Sequence, residues 1–119
     1  MQKKIRTDGI VELVDIYPTL CDLAGIKLPG HLEGTSMVPL MNDPKRQWKK
    51  AAFTRNGNGS TVTTGDYTYT EYGDHAQRML YDRKKDPSEN ENVAEAEEYK
   101  ETVKQLSKLL SDERKLSQP

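Results

Sequence analysis

The sequence predicts an α+β fold, with about four short antiparallel strands packed against a C-terminal amphipathic helix and one further helix ahead of the sheet. Three observations carry this. Residues 51 to 81 are rich in threonine and tyrosine, whose branched and aromatic side chains suit a pleated surface. The connections between those runs are hairpin-short, which dictates antiparallel pairing. Finally, Tyr99, Val103, Leu106 and Leu110 recur at steps of four, three and four, an apolar helical stripe that needs a sheet face to cover.

In chain order, "VELVDIYPTLCDLAGIKLPG" starts as a strand or extended lead-in near 10 to 14 and becomes a helix near 16 to 24. Ile16, Leu20, Leu23 and Ala24 fall at helical spacing, with Tyr17 and Cys21 beside them. Asp15 is the expected N-cap, because Pro18 then lies in the first turn, where backbone N–H groups have no helical acceptor. Gly25 ends the helix and Pro29-Gly30 turns the chain. From His31 to Lys50 no period is sustained; "MVPLM" and Trp48 are the expected anchors of a connector. Next come "AAFTR", "STVTT", "DYTYTEY" and "RMLYD" as strands, with Gly65-Asp66 as a tight turn. On the third strand Tyr67, Tyr69 and Glu71 share one face, and Thr68, Thr70 and Tyr72 the other. In the last helix, acidic Glu95, Glu97 and Glu98 precede basic Arg114 and Lys115, an order that suits the helix dipole.

Composition narrows the function. At 119 residues, 34% hydrophobic and 31% charged, the chain holds one modest core. Eighteen basic and 19 acidic residues are interspersed to a net charge of −1, which argues against nucleic acid or an anionic membrane surface as partner. No apolar run approaches the roughly 20 residues of a membrane span. "MQKKIRTDGI" has the basic start of a signal peptide without its apolar middle. The single cysteine, Cys21, sits on an apolar helix face and reads as a buried, inert thiol.

No phosphate-binding loop, dinucleotide fingerprint, zinc-protease helix or nucleophile elbow occurs in the sequence, and His31 and His75 are far apart. Almost all carboxylates fall in turns or on the solvated face of the last helix. "NGNG" at 56 to 59 lacks the lysine and following helix of an anion cradle. It reads as a hairpin connection in which Gly57, Gly59 and the asparagines take positive φ.

Three stretches in order resemble the C-terminal part of sulfatases of the alkaline phosphatase superfamily, in their iduronate-2-sulfatase-like and choline-sulfatase-like group. They are "VELVDIYPTLCDLAGIKLPGHLEGTSMVPLMNDPKRQWKKAAFTR", "TVTTGDYTYTEY" and "LYDRKKDPSENENVA", and the resemblance extends over roughly residues 8 to 112. The resemblance implies four segments. Residues 1–30 would be the tail of a catalytic α/β domain, 31–50 a connector, 51–113 the C-terminal subdomain and 114–119 a frayed tail. It also implies that the catalytic residues lie elsewhere: a formylglycine made in a Cys/Ser-x-Pro-x-Arg motif, and a bound calcium. Cys21 precedes Asp-Leu-Ala-Gly and does not fit that motif.

The expected role is therefore structural, with part of the substrate rim: Arg55 and Asn56 at the end of the first strand, and His75. An arginine there could grip a sugar carboxylate or sulfate with two parallel hydrogen bonds. Thr63 stands where many relatives carry arginine. The expected partners are an N-terminal catalytic domain and a sulfated small molecule or sugar. The parent would be periplasmic or secreted, and the fragment alone inactive. Without that domain the 16–24 helix would expose its apolar face and could drive dimerisation or element exchange. A stand-alone binding or oligomerisation module is the alternative.

Overall fold

The computed structural model describes residues 4–73 and 77–117 and divides into two compact units, with the boundary between Lys50 and Ala51.

In the first unit a 3-10 turn, Leu13–Asp15, runs directly into helix α1, Ile16–Leu23, and a short helix α2 covers Val38–Asn42. Residues 5–12 form no strand, so the lead-in is extended chain. Asp15 does not cap α1: its backbone is already helical and its side chain makes no cap bond. Its carboxylate, fully buried, has stronger partners. It accepts from Lys49 Nζ at 2.6 and 2.8 Å, from the Thr35 N–H at 2.8 Å and from the Glu12 N–H at 2.9 Å. Thr19 Oγ1, one turn on, donates to the Asp15 carbonyl and accepts the Met37 N–H at 2.8 Å. Asp22, a further turn on, accepts from Ser36 Oγ at 2.7 Å.

The polar stripe of α1 is thus zipped to residues 35–37, while its apolar stripe faces outward. Ile16, Tyr17, Leu20 and Leu23 are 45, 57, 59 and 51% exposed. Cys21 is buried, as expected, and Leu40 of α2 is the buried member of "MVPLM". Gly34 is obligatory here, because a Cβ on it would lie 1.9 Å from the Val14 carbonyl oxygen. Trp48 is half-buried, and its Nε1 is enclosed without an acceptor among the described residues.

The second unit is the predicted sheet and helix. Strands β1 (Ala51–Asn56), β2 (Gly59–Thr64), β3 (Tyr67–Tyr72) and β4 (Arg78–Asp82) form a simple antiparallel meander in sequence order. A 3-10 turn, Glu97–Tyr99, leads into α3, Lys100–Leu116. Helix α3 therefore continues past residue 113, and the Ser117 N–H still bonds the Glu113 carbonyl at 3.0 Å. Basic Arg114 and Lys115 in that last turn favour the extension.

Register decides what the sheet buries. Phe53, Val62, Tyr69 and Leu80 stand in one row. The last three are at most 1% exposed and pack with Tyr99, Val103, Leu106 and Leu110. The outer edge of β4 is closed by the segment after it: Asn92 Oδ1 accepts the Leu80 N–H, its amide donates to the Arg78 carbonyl, and the Val93 N–H bonds Leu80. An exposed edge is thereby blocked by a side chain that mimics backbone. Asp82 is buried too: Oδ1 accepts the Lys84 and Lys85 N–H groups and Oδ2 the Tyr99 hydroxyl at 2.8 Å.

Candidate functional site

The end of the β1–β2 hairpin is where sequence reasoning put the substrate rim. The loop proper is only Gly57-Asn58, since Asn56 pairs with Gly59 and Arg55 with Ser60. Gly57 has φ +60°, whereas Asn56, Asn58 and Gly59 do not have positive φ. The expectation that both glycines and both asparagines take that conformation is thus corrected. A two-residue hairpin with glycine first needs one left-handed residue, the pattern of a type II′ turn.

Strand alternation separates the proposed rim residues. Arg55 lies on the α3 face, in the row of Ser60, Glu71 and Arg78, while Asn56 lies on the opposite face, in the row of Gly59 and Tyr72. The two cannot grip one small group together from the same side of the sheet. Arg55 is exposed, and its guanidinium has no ion-pair partner among the described residues. His75 lies outside the described residues.

Beneath α3, in the row of Arg55, sits a carboxylate to which sequence reasoning gave no role beyond its place on the face of Tyr67 and Tyr69. Glu71 is 1% exposed; its Oε2 accepts from the Tyr69 hydroxyl at 3.0 Å and from Ser107 Oγ at 2.8 Å, and its Oε1 from Arg114 at 3.0 Å. Burial first, and then the adjacent Glu71 carboxylate, push the Tyr69 phenol up to about 12. In the first unit, burial opposes ionisation of Asp15, but the Lys49 ammonium and the Thr35 and Glu12 N–H groups outweigh it and hold the carboxyl below its usual range. Lys49 is correspondingly raised by Asp15 and Glu12, against its own desolvation. The available signal for Glu71 was its inward parity with Tyr69; for Asp15 no local signal existed.

These groups compensate one another: both carboxylates are taken up by buried hydrogen bonds and ion pairs. Among the described residues no group of His, Cys, Asp and Glu could hold a metal ion. The donor chemistry explains this. Glu12 and Asp15 share the Lys49 ammonium, and Glu71 is held by hydroxyls and a guanidinium. A calcium ion does not fit these residues.

Comparison with known proteins defines what the arrangement belongs to. Residues 1–116 match the family model described as N-sulphoglucosamine sulphohydrolase, C-terminal. The chain belongs to this family of sulfatase C-terminal domains. An arylsulfatase of Clostridium perfringens is 33% identical over 111 residues, covering 89% of this chain and 23% of that protein. A delta 4,5-hexuronate-2-O-sulfatase of Bacteroides thetaiotaomicron is 33% identical over 108 residues, covering 83% and 22%. A protein solved in complex with its substrate D-glucosamine-2-N,6-O-disulfate superposes with a TM-score of 0.77 at 27% identity, over 85% of this chain and 23% of that one. The four-stranded sheet and C-terminal helix are therefore those of a sulfatase C-terminal domain. The chain spans about a fifth to a quarter of the length of the relatives it matches.

Proposed function

We propose that this chain is the C-terminal portion of a sulfatase that hydrolyses sulfate esters of sugars, and that it supplies structure and part of the substrate rim. The observation that carries the reading is the family match over residues 1–116, with relatives named for sulfate-ester and sulfated-sugar chemistry. In the parent, formylglycine and calcium would stabilise the charge that develops on the transferring sulfate. The sequence holds no Cys/Ser-x-Pro-x-Arg motif and the described residues form no metal-binding cluster, so on this reading the chain alone is inactive. The exposed guanidinium of Arg55, which forms no ion pair among the described residues, supports a rim role, because a planar cation of this kind suits an anionic ligand.

The test compares the 119-residue chain with the product of the whole coding region on sulfated glucosamine and hexuronate. The chain should release no sulfate and the whole product should. In the whole product Arg55→Ala should raise KM more than it lowers kcat. A coding region without an in-frame Cys/Ser-x-Pro-x-Arg motif would overturn the assignment.

The outward stripe of α1 supports the domain partner. Leu13, Tyr17, Leu20 and Leu23, each more than half exposed, form a patch of the kind that marks an interface. We propose that a catalytic domain covers it in the parent and that a second copy covers it in the isolated chain. Sedimentation of the chain should give a dimer that Leu20→Glu dissociates. A monomer at high concentration would count against the second-copy arrangement.

A further inference from the structure

The sheet face turned away from α3 carries a recess of about 310 Å³, within the size range of small-molecule sites, beside the hairpin end. Its composition is unusual for this chain: threonine hydroxyls, an asparagine amide, a tyrosine ring and Met79, with no charged side chain among the described lining residues. Gly59 shapes it. A Cβ there would lie 3.0 Å from Tyr72 Cε1 and 3.3 Å from Cδ1, so the Tyr72 ring rests directly on the glycine backbone of the neighbouring strand. The ring is only half-buried, which leaves part of it open to the recess. One row further along, the Thr61 and Thr70 hydroxyls are locked together at 2.7 Å, and the exposed side chains of Thr54 and Asn56 stand on the adjoining strand.

We infer that this recess binds an uncharged, hydroxylated ring, the non-sulfated face of a sugar. An aromatic ring resting on a glycine gives a flat apolar surface for the C–H face of a pyranose. The amide and hydroxyls supply both donors and acceptors for its ring substituents. Among the described lining residues a sulfate or carboxylate would find no cation, so ionic recognition falls to the opposite sheet face, where Arg55 stands. The inference extends the proposed sulfated-sugar reading and rests on it for the ligand class: the recess would hold the sugar adjoining the one that carries the sulfate.

The experiment is a titration of the isotope-labelled 119-residue chain, followed by amide shifts, with two probes: an unsulfated glucosamine disaccharide and D-glucosamine-2-N,6-O-disulfate. The disaccharide should shift the amides of Thr54, Thr61, Thr70 and Tyr72 saturably, with a Kd on the order of 1 mM. Tyr72→Ala should abolish this and Asn56→Ala should weaken it roughly three- to tenfold, the worth of one hydrogen bond. Tyr72→Phe, which keeps the ring and the fold, should retain binding. No saturable shift with the disaccharide, or shifts confined to residues around Arg55, would overturn the inference while leaving the sulfatase assignment standing. Disaccharide binding at the recess in a protein whose full-length product releases no sulfate would support the recess and refute the assignment.

Discussion

Glu71 and Arg114, 43 residues apart in sequence, meet at 3.0 Å where the C-terminal half of α3 crosses the sheet. The carboxylate is 2% exposed at the side chain and the guanidinium 36%. This pair, with Ser107 and Tyr69, gives α3 a polar fixing point that complements its leucine stripe. Removing one partner of a buried pair costs more than the pair is worth, because it leaves a charge uncompensated. Arg114→Ala should lower the stability of the sheet unit by about 2 kcal/mol, discounted for the exposed guanidinium. Chemical denaturation followed by tyrosine fluorescence measures this, and Glu71→Gln added to Arg114→Ala should recover part of the loss.

The same cluster sets an alkaline limit. Tyr69 stays protonated to about 12 in the fold, against 10.0 for an ordinary tyrosine. A group whose pKa is raised on folding contributes stability that is complete below its unfolded value and disappears as pH rises through its folded value. The stability advantage of the native chain over Tyr69→Phe should therefore be constant below pH 10 and fall between pH 10 and about 12. Ultraviolet difference spectra of the native chain and Tyr69→Phe should differ by one tyrosine ionisation centred at about 12.

Asp15 and Lys49 make the corresponding latch in the first unit, and Trp48, the only tryptophan, sits next to it in sequence as a reporter. Asp15→Asn should destabilise this unit by about 2 to 3 kcal/mol at neutral pH. The carboxyl is depressed in the fold, so its contribution is present above 3.8 and is lost as pH falls through the lower folded value. Lys49 is raised, so its contribution is complete below 10.5 and is lost as pH climbs through the higher folded value. The difference between native chain and variant, read from Trp48 fluorescence across pH, should therefore shrink at the acid end for Asp15→Asn and at the alkaline end for Lys49→Met.

Gly34→Ala tests a close approach with no polar component. The added methyl would lie 1.9 Å from the Val14 carbonyl oxygen, so the backbone must separate and strain the neighbouring Thr35 N–H bond to Asp15. A loss of at least about 2 kcal/mol is expected in the Trp48-monitored transition. Gly30→Ala, where an added Cβ meets nothing within 4 Å, should change it by less than about 0.5 kcal/mol.

Much of the sheet unit was legible because its signals are local. The alternation of "DYTYTEY" fixes which side chains share a face, and the four-three-four spacing from Tyr99 to Leu110 fixes the stripe of α3. Both survive in the structure because period and packing agree. The hairpin was legible as a turn but not as a register: only pairing shows that Arg55 and Asn56 sit back to back on opposite faces.

The sequence by itself determined the four strands, helices α1 and α3, their order and the family, since these follow from spacing, turn residues and motifs read along the chain. Helix α2, by contrast, lies in a stretch without a sustained period. Tertiary structure alone decided the fate of the charged and polar groups. Asp15 gave up the helix cap because Lys49 and Thr35, 34 and 20 residues away, offered a buried carboxylate stronger hydrogen bonds than its own helix could. Glu71 went under α3 because Arg114 and two hydroxyls arrive there only when the helix docks. A buried charge is tolerated only where distant partners converge on it, and no local pattern records where they will converge.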